Sequence, residues 1–111
     1  MIITFQDERL RKLCNDSRAL VRTYGPRQAE VLRRRLDQLQ AANSLGVMRT
    51  LPGRCHELTA DRAGQLSLDL VHPMRLLFEP AEDPPPAKED GGLDWGRVEA
   101  VRIIGIEDTH D

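Results

Sequence analysis

The sequence predicts a single α+β domain in which an N-terminal strand and helices pack on one face of a small antiparallel β-sheet. At 111 residues the chain is long enough for one core and too short for two ordinary domains. Apolar residues recur with helical spacing in roughly the first forty residues, and short β-rich runs separated by Gly, Asp and Pro follow them. We therefore treat residues 1–111 as one unit.

The helices are predicted to follow a short apolar strand at residues 2–5. Asp7 is an N-cap type residue and begins the first helical pattern. A second helical stretch runs from about 17 to 21. A longer helix begins at Pro26, because proline suits the first helical position. The predicted buried stripe of this helix is Ala29, Leu32, Leu36 and Leu39.

The second half of the chain predicts antiparallel strands. Their ranges are 54–58, 66–71, 74–78 and 98–106. Leu66, Leu68 and Leu70 alternate with Ser67 and Asp69, so this strand is expected to bury one face. The last strand carries apolar residues on both faces, which predicts a central or well-covered position. Between the third and the last strand, residues 80 to about 96 are rich in Pro, Ala, Glu, Asp and Gly, and are predicted to form a mobile acidic loop.

Charge is distributed unevenly along the chain. Residues 1–80 contain 13 Lys plus Arg and 9 Asp plus Glu, a net charge of +4, whereas residues 81–111 contain 3 and 9, a net charge of -6. The basic part is almost all arginine, whose planar fork matches phosphate oxygens in two-point contacts. Arg27 and Arg34 are expected on the outer face of the long helix, with Arg33 and Arg35 at its edges. They form either a phosphate-facing surface or an ordinary solvated helix face.

Composition also argues against several classes of protein. Aromatic residues make up only 4%, which disfavours binding of single-stranded nucleic acid by stacked aromatic side chains. The sequence has no apolar run near 18 to 20 residues and no charged-then-apolar leader, so we expect a cytoplasmic protein without a membrane partner. Cys14 and Cys55 are distant and are expected to be reduced thiols. No metal or other cofactor is expected, because His56, His72 and His110 lack ligand spacing.

Three segments, 51–64, 73–78 and 106–110, carry a family resemblance through their order and spacing. The chain resembles the HigB-like toxins, the plasmid maintenance killer branch of the RelE/ParE superfamily, over nearly its whole length. The matching residues are His56, Leu58, Asp61, Arg62, Gly64, Ser67, Arg75, Phe78, Asp108 and His110. Two N-terminal helices match in order as well.

The resemblance implies a RelE-like microbial ribonuclease fold and the toxin of a type II toxin-antitoxin system. Such a toxin is a ribosome-dependent endonuclease that cuts messenger RNA in the decoding site and arrests translation and growth. Its implied partners are the ribosome, messenger RNA and a cognate HigA-like helix-turn-helix antitoxin.

Catalytic roles follow from the chemistry of RNA cleavage, in which the 2′-hydroxyl attacks the phosphate. That reaction needs a base, an acid and positive charge on the crowded phosphate. The resemblance assigns Arg75 to the scissile phosphate, His110 to proton transfer and Asp108 to orienting a neighbour. His56 is either catalytic or a hydrogen-bonded core histidine. The predicted RNA-binding residues are Arg62, Arg54, Arg34, Arg27 and Arg33.

Two departures from the family pattern keep other functions open. Thr59 stands where the family often has lysine, and Thr109 where it has tyrosine, so a cation and a stacking ring are both lost. These losses favour a non-catalytic ParE-like toxin that binds DNA gyrase, or an attenuated module that binds its antitoxin. The acidic loop joins the strand of Arg75 to the last strand, so its negative charge is expected close to the site.

Overall fold

The computed structural model describes residues 1–108 of the chain. Within this part, three α-helices pack against a five-stranded sheet. The helices are α1 (Glu8–Cys14), α2 (Ser17–Tyr24) and α3 (Pro26–Ala41), and the strands are β1 (Ile2–Phe5), β2 (His56–Glu57), β3 (Leu66–Asp69), β4 (Met74–Pro80) and β5 (Ala100–Asp108). Short 3₁₀ turns lie at Leu45–Thr50, Ala60–Arg62 and Trp95–Arg97.

The helices begin at residues that satisfy free backbone N–H groups. The Asp7 carboxylate accepts a 2.8 Å hydrogen bond from the Leu10 N–H, and Asp16 caps α2 in the same way. Pro26 is the first residue of α3, where its missing N–H costs nothing, and Gly25 before it adopts φ 85°. The predicted helix starts at Asp7 and Pro26 are confirmed. None of the helices in residues 1–108 is long and apolar enough to cross a membrane.

The core lies between α3 and one face of the sheet. The predicted stripe of α3 is confirmed, since all four of its members are buried. These side chains join a single apolar cluster with strand residues that include Leu66, Leu68, Leu76, Phe78 and Ile103. Burial of one leucine or phenylalanine side chain contributes about 1.5–3 kcal/mol, so this layer contact holds the helices on that face.

The strands are arranged in the order β1-β5-β4-β3-β2. All neighbours are antiparallel except β1 and β5, which run parallel, with Ile2 opposite Ala100. The predicted α+β class with helices on one face is therefore confirmed, and β5 is a central strand as expected. One detail is corrected: β1 does not pack on a face but extends the sheet at its edge, so the sheet is mixed.

The acidic segment that joins β4 to β5 has structure of its own. Ala87 and Leu93 form an isolated β-bridge, and Trp95 is buried with a relative exposure of 5%. The Trp95 indole N–H donates a 3.0 Å hydrogen bond to the Glu57 carboxylate, and the Arg49 guanidinium lies 3.8 Å from the centre of the ring. We call residues 81–99 the insertion. Its predicted mobility stays a prediction, but its tryptophan belongs to the core.

The two ends of the insertion lie at the end of β4 and β5 away from Arg75, which corrects the expectation of negative charge beside that residue, although Trp95 of the insertion contacts Glu57 next to His56. Because β4 and β5 are antiparallel, the insertion joins Pro80 to Ala100, which lie at one end of the strand pair. Arg75 pairs with Glu107 at the other end, five residues or roughly 16 Å along β4. The fact that the insertion follows the strand of Arg75 in sequence did not predict its distance from Arg75, because the two ends of a long strand are far apart.

Candidate functional site

The candidate site lies on the face of the sheet opposite the helices. Side chains of cross-strand partners lie on the same side of a sheet. The register pairs His56 with Ser67, Asp69 with Arg75, and Arg75 with Glu107. We call the surface formed by His56, Ser67, Asp69, Arg75 and Glu107 the polar face. Along each strand these residues alternate with apolar residues of the core. Burial of the apolar side chains against the helices therefore directs the polar side chains to the opposite side of the sheet.

Asp69 joins two arginines on this face. Its carboxylate accepts hydrogen bonds from Arg54, at 2.5 Å from Nε and 3.3 Å from Nη2. Its Oδ1 also lies 3.6 Å from Nε of Arg75. The Arg75 side chain is only 17% exposed and that of Arg54 is 68% exposed. Arg75 is therefore held in place, whereas Arg54 reaches into solvent, and the two guanidinium groups converge on one carboxylate.

The turn before β2 places Arg54 beside Asp69. The carbonyl oxygen of Gly53 accepts a 2.7 Å hydrogen bond from the Asp69 N–H, and Arg35 Nε donates a 2.9 Å bond to the Asp69 carbonyl oxygen. Gly53 adopts φ 114°, and a Cβ built there would lie 2.9 Å from Arg35 Nε. Burial, and then the nearby Arg34, lower the pKa of Arg35, while Asp69 opposes this shift. A guanidinium stays charged regardless, so a third positive charge adjoins Asp69.

His56 has a fixed ring orientation on β2. Its Nδ1 lies 2.8 Å from the carbonyl oxygen of Arg54. Because a carbonyl oxygen can only accept, Nδ1 carries the hydrogen and Nε2 of the neutral ring is left with a lone pair. His56 is half-buried at the sheet edge. The ring can therefore accept a proton at Nε2, which keeps the catalytic interpretation of this residue open.

The loop between β2 and β3 folds over the polar face. Arg62 in this loop donates a 3.0 Å hydrogen bond to Glu107 on β5, although β3 and β4 lie between their strands. Leu58, Ser67 and Leu77 are buried, yet they are not part of the main core cluster. The loop thus covers the middle of the polar face, and the Arg62 charge is paired with a carboxylate at its rim.

The C-terminal residues of the prediction are only partly described. Asp108 ends β5 opposite Met74 and follows Glu107, the strand partner of Arg75. The end of β5 therefore lies beside the start of β4, as the predicted site requires. His110 lies outside the described residues, so its proton-transfer role stays a prediction.

The arginines of α3 are not brought together with Arg75. Arg33 pairs with Asp37 and Arg34 with Glu30, both on the helix itself. Arg27 is exposed near the start of α3. Since α3 packs on the apolar face, the sheet separates these three arginines from the polar face. If these arginines bind RNA, they bind it on a surface separate from the polar face.

The two cysteines are poor nucleophiles. Burial raises the pKa of the Cys14 thiol to about 11 and that of Cys55 to about 12, although Arg33 and Arg49 respectively oppose the shift. Both thiols therefore stay protonated near neutral pH, and the thiolate is the reactive form. Cysteine chemistry is thus disfavoured, even though Cys55 directly precedes His56.

Sequence reasoning missed Asp69, Gly53 and Arg35 as parts of the site. A signal for Asp69 did exist. It is a charged residue in a leucine-rich strand, and the short link to β4 fixes it opposite Arg75. No such signal existed for Arg35, whose contact with β3 depends on how α3 lies across the sheet.

Comparisons with known proteins leave the family unassigned. A scan against protein-family models finds no match to the chain, and a search of curated proteins finds none either. Within residues 1–108, no group of three or more His, Cys, Asp or Glu side chains is placed to hold a metal ion. The functional argument therefore rests on the residues of the polar face.

Proposed function

We propose that this protein is the toxin of a type II toxin-antitoxin system and acts as a ribosome-dependent messenger RNA endonuclease. The observation that carries the proposal is the convergence of Arg54 and Arg75 on one surface with His56, beside the end of β5. Such a surface supplies cationic groups for a phosphate and a group that can exchange protons. The proposed setting is the cytoplasm, with a HigA-like antitoxin as the restraining partner.

In the proposed reaction, the RNA 2′-oxygen bonds to phosphorus and the bond from phosphorus to the 5′-oxygen breaks. The 2′-hydroxyl proton passes to a base, and an acid protonates the departing 5′-oxygen, so no other reactant is consumed. Arg75, with Arg54 next to it, stabilises the extra charge on the phosphate oxygens. His56 and His110 are the candidates for the two proton transfers.

The insertion leaves β4 and enters β5 at the end of the strand pair away from Arg75. Five residues of β4, roughly 16 Å, separate Pro80 from Arg75, which is longer than the Debye length of about 8–10 Å in physiological salt. The ends of the insertion therefore do not place negative charge beside the proposed phosphate contact.

One observation favours the alternative, a non-catalytic binder of the ParE-like, gyrase-binding kind or an attenuated antitoxin-binding module. Asp69 pairs with Arg54 and Arg75, and Glu107 pairs with Arg62, which lowers the positive charge at the polar face. Thr59 adds no cation where the related toxins often have lysine. A surface of this kind can bind a protein without cleaving RNA.

The decisive experiment is inducible expression in cells with growth curves and mapping of messenger RNA ends. Wild type is expected to arrest growth and create new ends, and Arg75→Ala and His110→Ala to abolish both. Arg11→Ala is the matched control, since it removes an arginine that pairs with Glu8 on α1 and has no predicted role, and it should behave as wild type. Arrest without new ends, or arrest that survives both site substitutions, would overturn the nuclease proposal in favour of a binder.

A further inference from the structure

We propose that the side of the sheet that carries the polar face also holds a nucleoside-binding site next to Arg75, and that the loop between β2 and β3 covers this site until a ligand binds. The site rests on the proposed function in taking RNA as its ligand. It is the place where the ribose and base of the nucleotide at Arg75 lie.

The site is a row of residues that lie opposite one another on four adjacent strands: His56, Ser67, Leu77 and Gly105. Cross-strand partners point to the same side of a sheet, so the row lies on the side away from the helices. Arg75 precedes Leu77 by two positions on β4, which is roughly 7 Å along the strand. A phosphate bound at Arg75 therefore brings the ribose and base of its nucleotide over this row.

Gly105 and Leu77 form an apolar floor in the middle of the row. Of the described residues, only Glu107 would lie within 4 Å of a Cβ built at Gly105, with its carboxylate at 3.5 Å. The space above this part of β5 is therefore open. Leu77 is fully buried outside the main core cluster, so the loop covers it and the helices do not. An apolar floor with a few polar groups beside it is typical of sites for small planar ligands.

Two oxygen atoms beside this floor are buried without hydrogen bonds. Within residues 1–108, the Ser67 hydroxyl and Oε1 of Gln65 have no partner. Gln65 lies two positions before Ser67, and its backbone still pairs with Leu58, so both side chains point to the same side of the sheet. Buried polar groups nearly always have partners, so these oxygens indicate partners that arrive with a ligand. The amino group of a base or a ribose hydroxyl supplies the missing donor.

The loop is held over the row by few contacts. In the described part of the chain, no backbone hydrogen bond joins residues 59–64 to β4 or β5. The Arg62–Glu107 pair spans that distance, and its side chains are 38% and 45% exposed. Exposed ion pairs contribute little stability, and Ala60 in the loop adopts φ 55°, which is unfavourable for a residue with a Cβ. Opening of the loop therefore costs little and uncovers the row.

Solvent exposure of Leu77 in the free protein tests the loop. The Leu77 methyl signals are followed by NMR with a neutral gadolinium chelate, whose relaxation effect increases with the fraction of open loop. Arg62→Gln and Glu107→Gln remove the same pair but change the net charge in opposite directions, so both should increase the effect about two- to fivefold. Asp37→Asn is the matched control, because it breaks an ion pair on α3. An unchanged effect in both loop variants overturns the proposed cover.

Titration with dinucleotides tests the site itself. The probes are 2′-fluoro dinucleotides of A, C, G and U, which cannot be cleaved because they lack the 2′-hydroxyl, and dimethyl phosphate, which has the same charge without ribose or base. At least one dinucleotide is expected to shift the amide signals of Ser67, Leu77 and Gly105, and dimethyl phosphate is expected to leave them unchanged. Dinucleotide shifts that omit Gly105, or no dinucleotide binding at all, overturn the site without any variant.

Two variants test the floor and the hydroxyl separately. Gly105→Val fills the space above β5 with a side chain that suits a strand, and should weaken dinucleotide binding at least about tenfold. Ser67→Ala removes a hydroxyl that has no partner in the free protein, so it keeps the fold and should weaken binding about two- to tenfold. Wild-type affinity in both variants overturns the site.

Failure of the site and failure of the proposed function give different results. Dinucleotide binding at Gly105 without growth arrest or new messenger RNA ends would refute the nuclease and leave the site intact. Cleavage that depends on Arg75 but persists unchanged in Gly105→Val would refute the site alone.

Discussion

Replacement of Trp95 by alanine tests whether the insertion is anchored in the core. Trp95 is 5% exposed, donates to Glu57 and lies under the Arg49 guanidinium. Removal of a buried tryptophan side chain costs about 3–5 kcal/mol. A domain of this size has a total stability of roughly 5–15 kcal/mol, so the loss is a large fraction of it. The expected fall in Tm is roughly 12–20 °C.

The polar part of this loss can be measured separately. Trp95→Phe keeps most of the apolar contact and removes the indole donor to the Glu57 carboxylate; because Glu57 is exposed and water can replace the donor, the expected loss is about 0.5–1.5 kcal/mol. The free energy of unfolding is measured by urea titration with far-ultraviolet circular dichroism, because Trp95 is the one tryptophan and its fluorescence is lost in the variants. Val47→Ala is the control, since Val47 is 38% exposed, and it should cost less than about 0.5 kcal/mol. A loss below about 1 kcal/mol for Trp95→Ala would show that the insertion is not part of the cooperative core.

Two further predictions concern the turn before β2 and the thiols. Gly53→Ala should lower the free energy of unfolding more than Gly91→Ala. Both glycines have positive φ, but only a Cβ at Gly53 would lie close to another atom, 2.9 Å from Arg35 Nε. Equal losses of stability in urea titrations would contradict this close approach. The folded-state pKa values of Cys14 and Cys55 are raised to about 11 and 12, so their stabilising effect is complete below the unfolded value near 9 and is lost as pH rises through the folded values. Stability should therefore decline from pH 9 towards 11, and a double Cys→Ala variant should decline less steeply; equal slopes would contradict the raised pKa values.

Local patterns predicted the elements that local forces define. The start of α3 follows from Pro26, and the core-facing side of β3 from the alternation of Leu66 and Leu68 with polar residues; the burial of Ser67 on the opposite side corrects the expectation that this strand buries only one face. These features depend on residues within one or two turns or on one strand. For the same reason the predicted class of the fold, and the central place of β5, agree with the structure.

Features that depend on contacts distant in sequence could not be predicted in the same way. The parallel pairing of Ile2 with Ala100 joins residues 98 positions apart, and no local pattern determines it. Helical periodicity correctly placed Arg34 on the outer face of α3. It did not predict on which side of the sheet that helix lies. The burial of Trp95 was not predicted, because the acidic, Pro- and Gly-rich segment around it is typical of an exposed loop.

The place of β5 in the sheet has a consequence for the order in which the molecule folds. The strand is fourth from one edge of the sheet and second from the other, yet it is the last of the five strands in the chain. Before it is synthesised, β1 has no strand to pair with, and β2, β3 and β4 form a separate meander with one open side. The start of β4, which carries Arg75, therefore lies on an incomplete sheet until β5 has been synthesised and has paired with it.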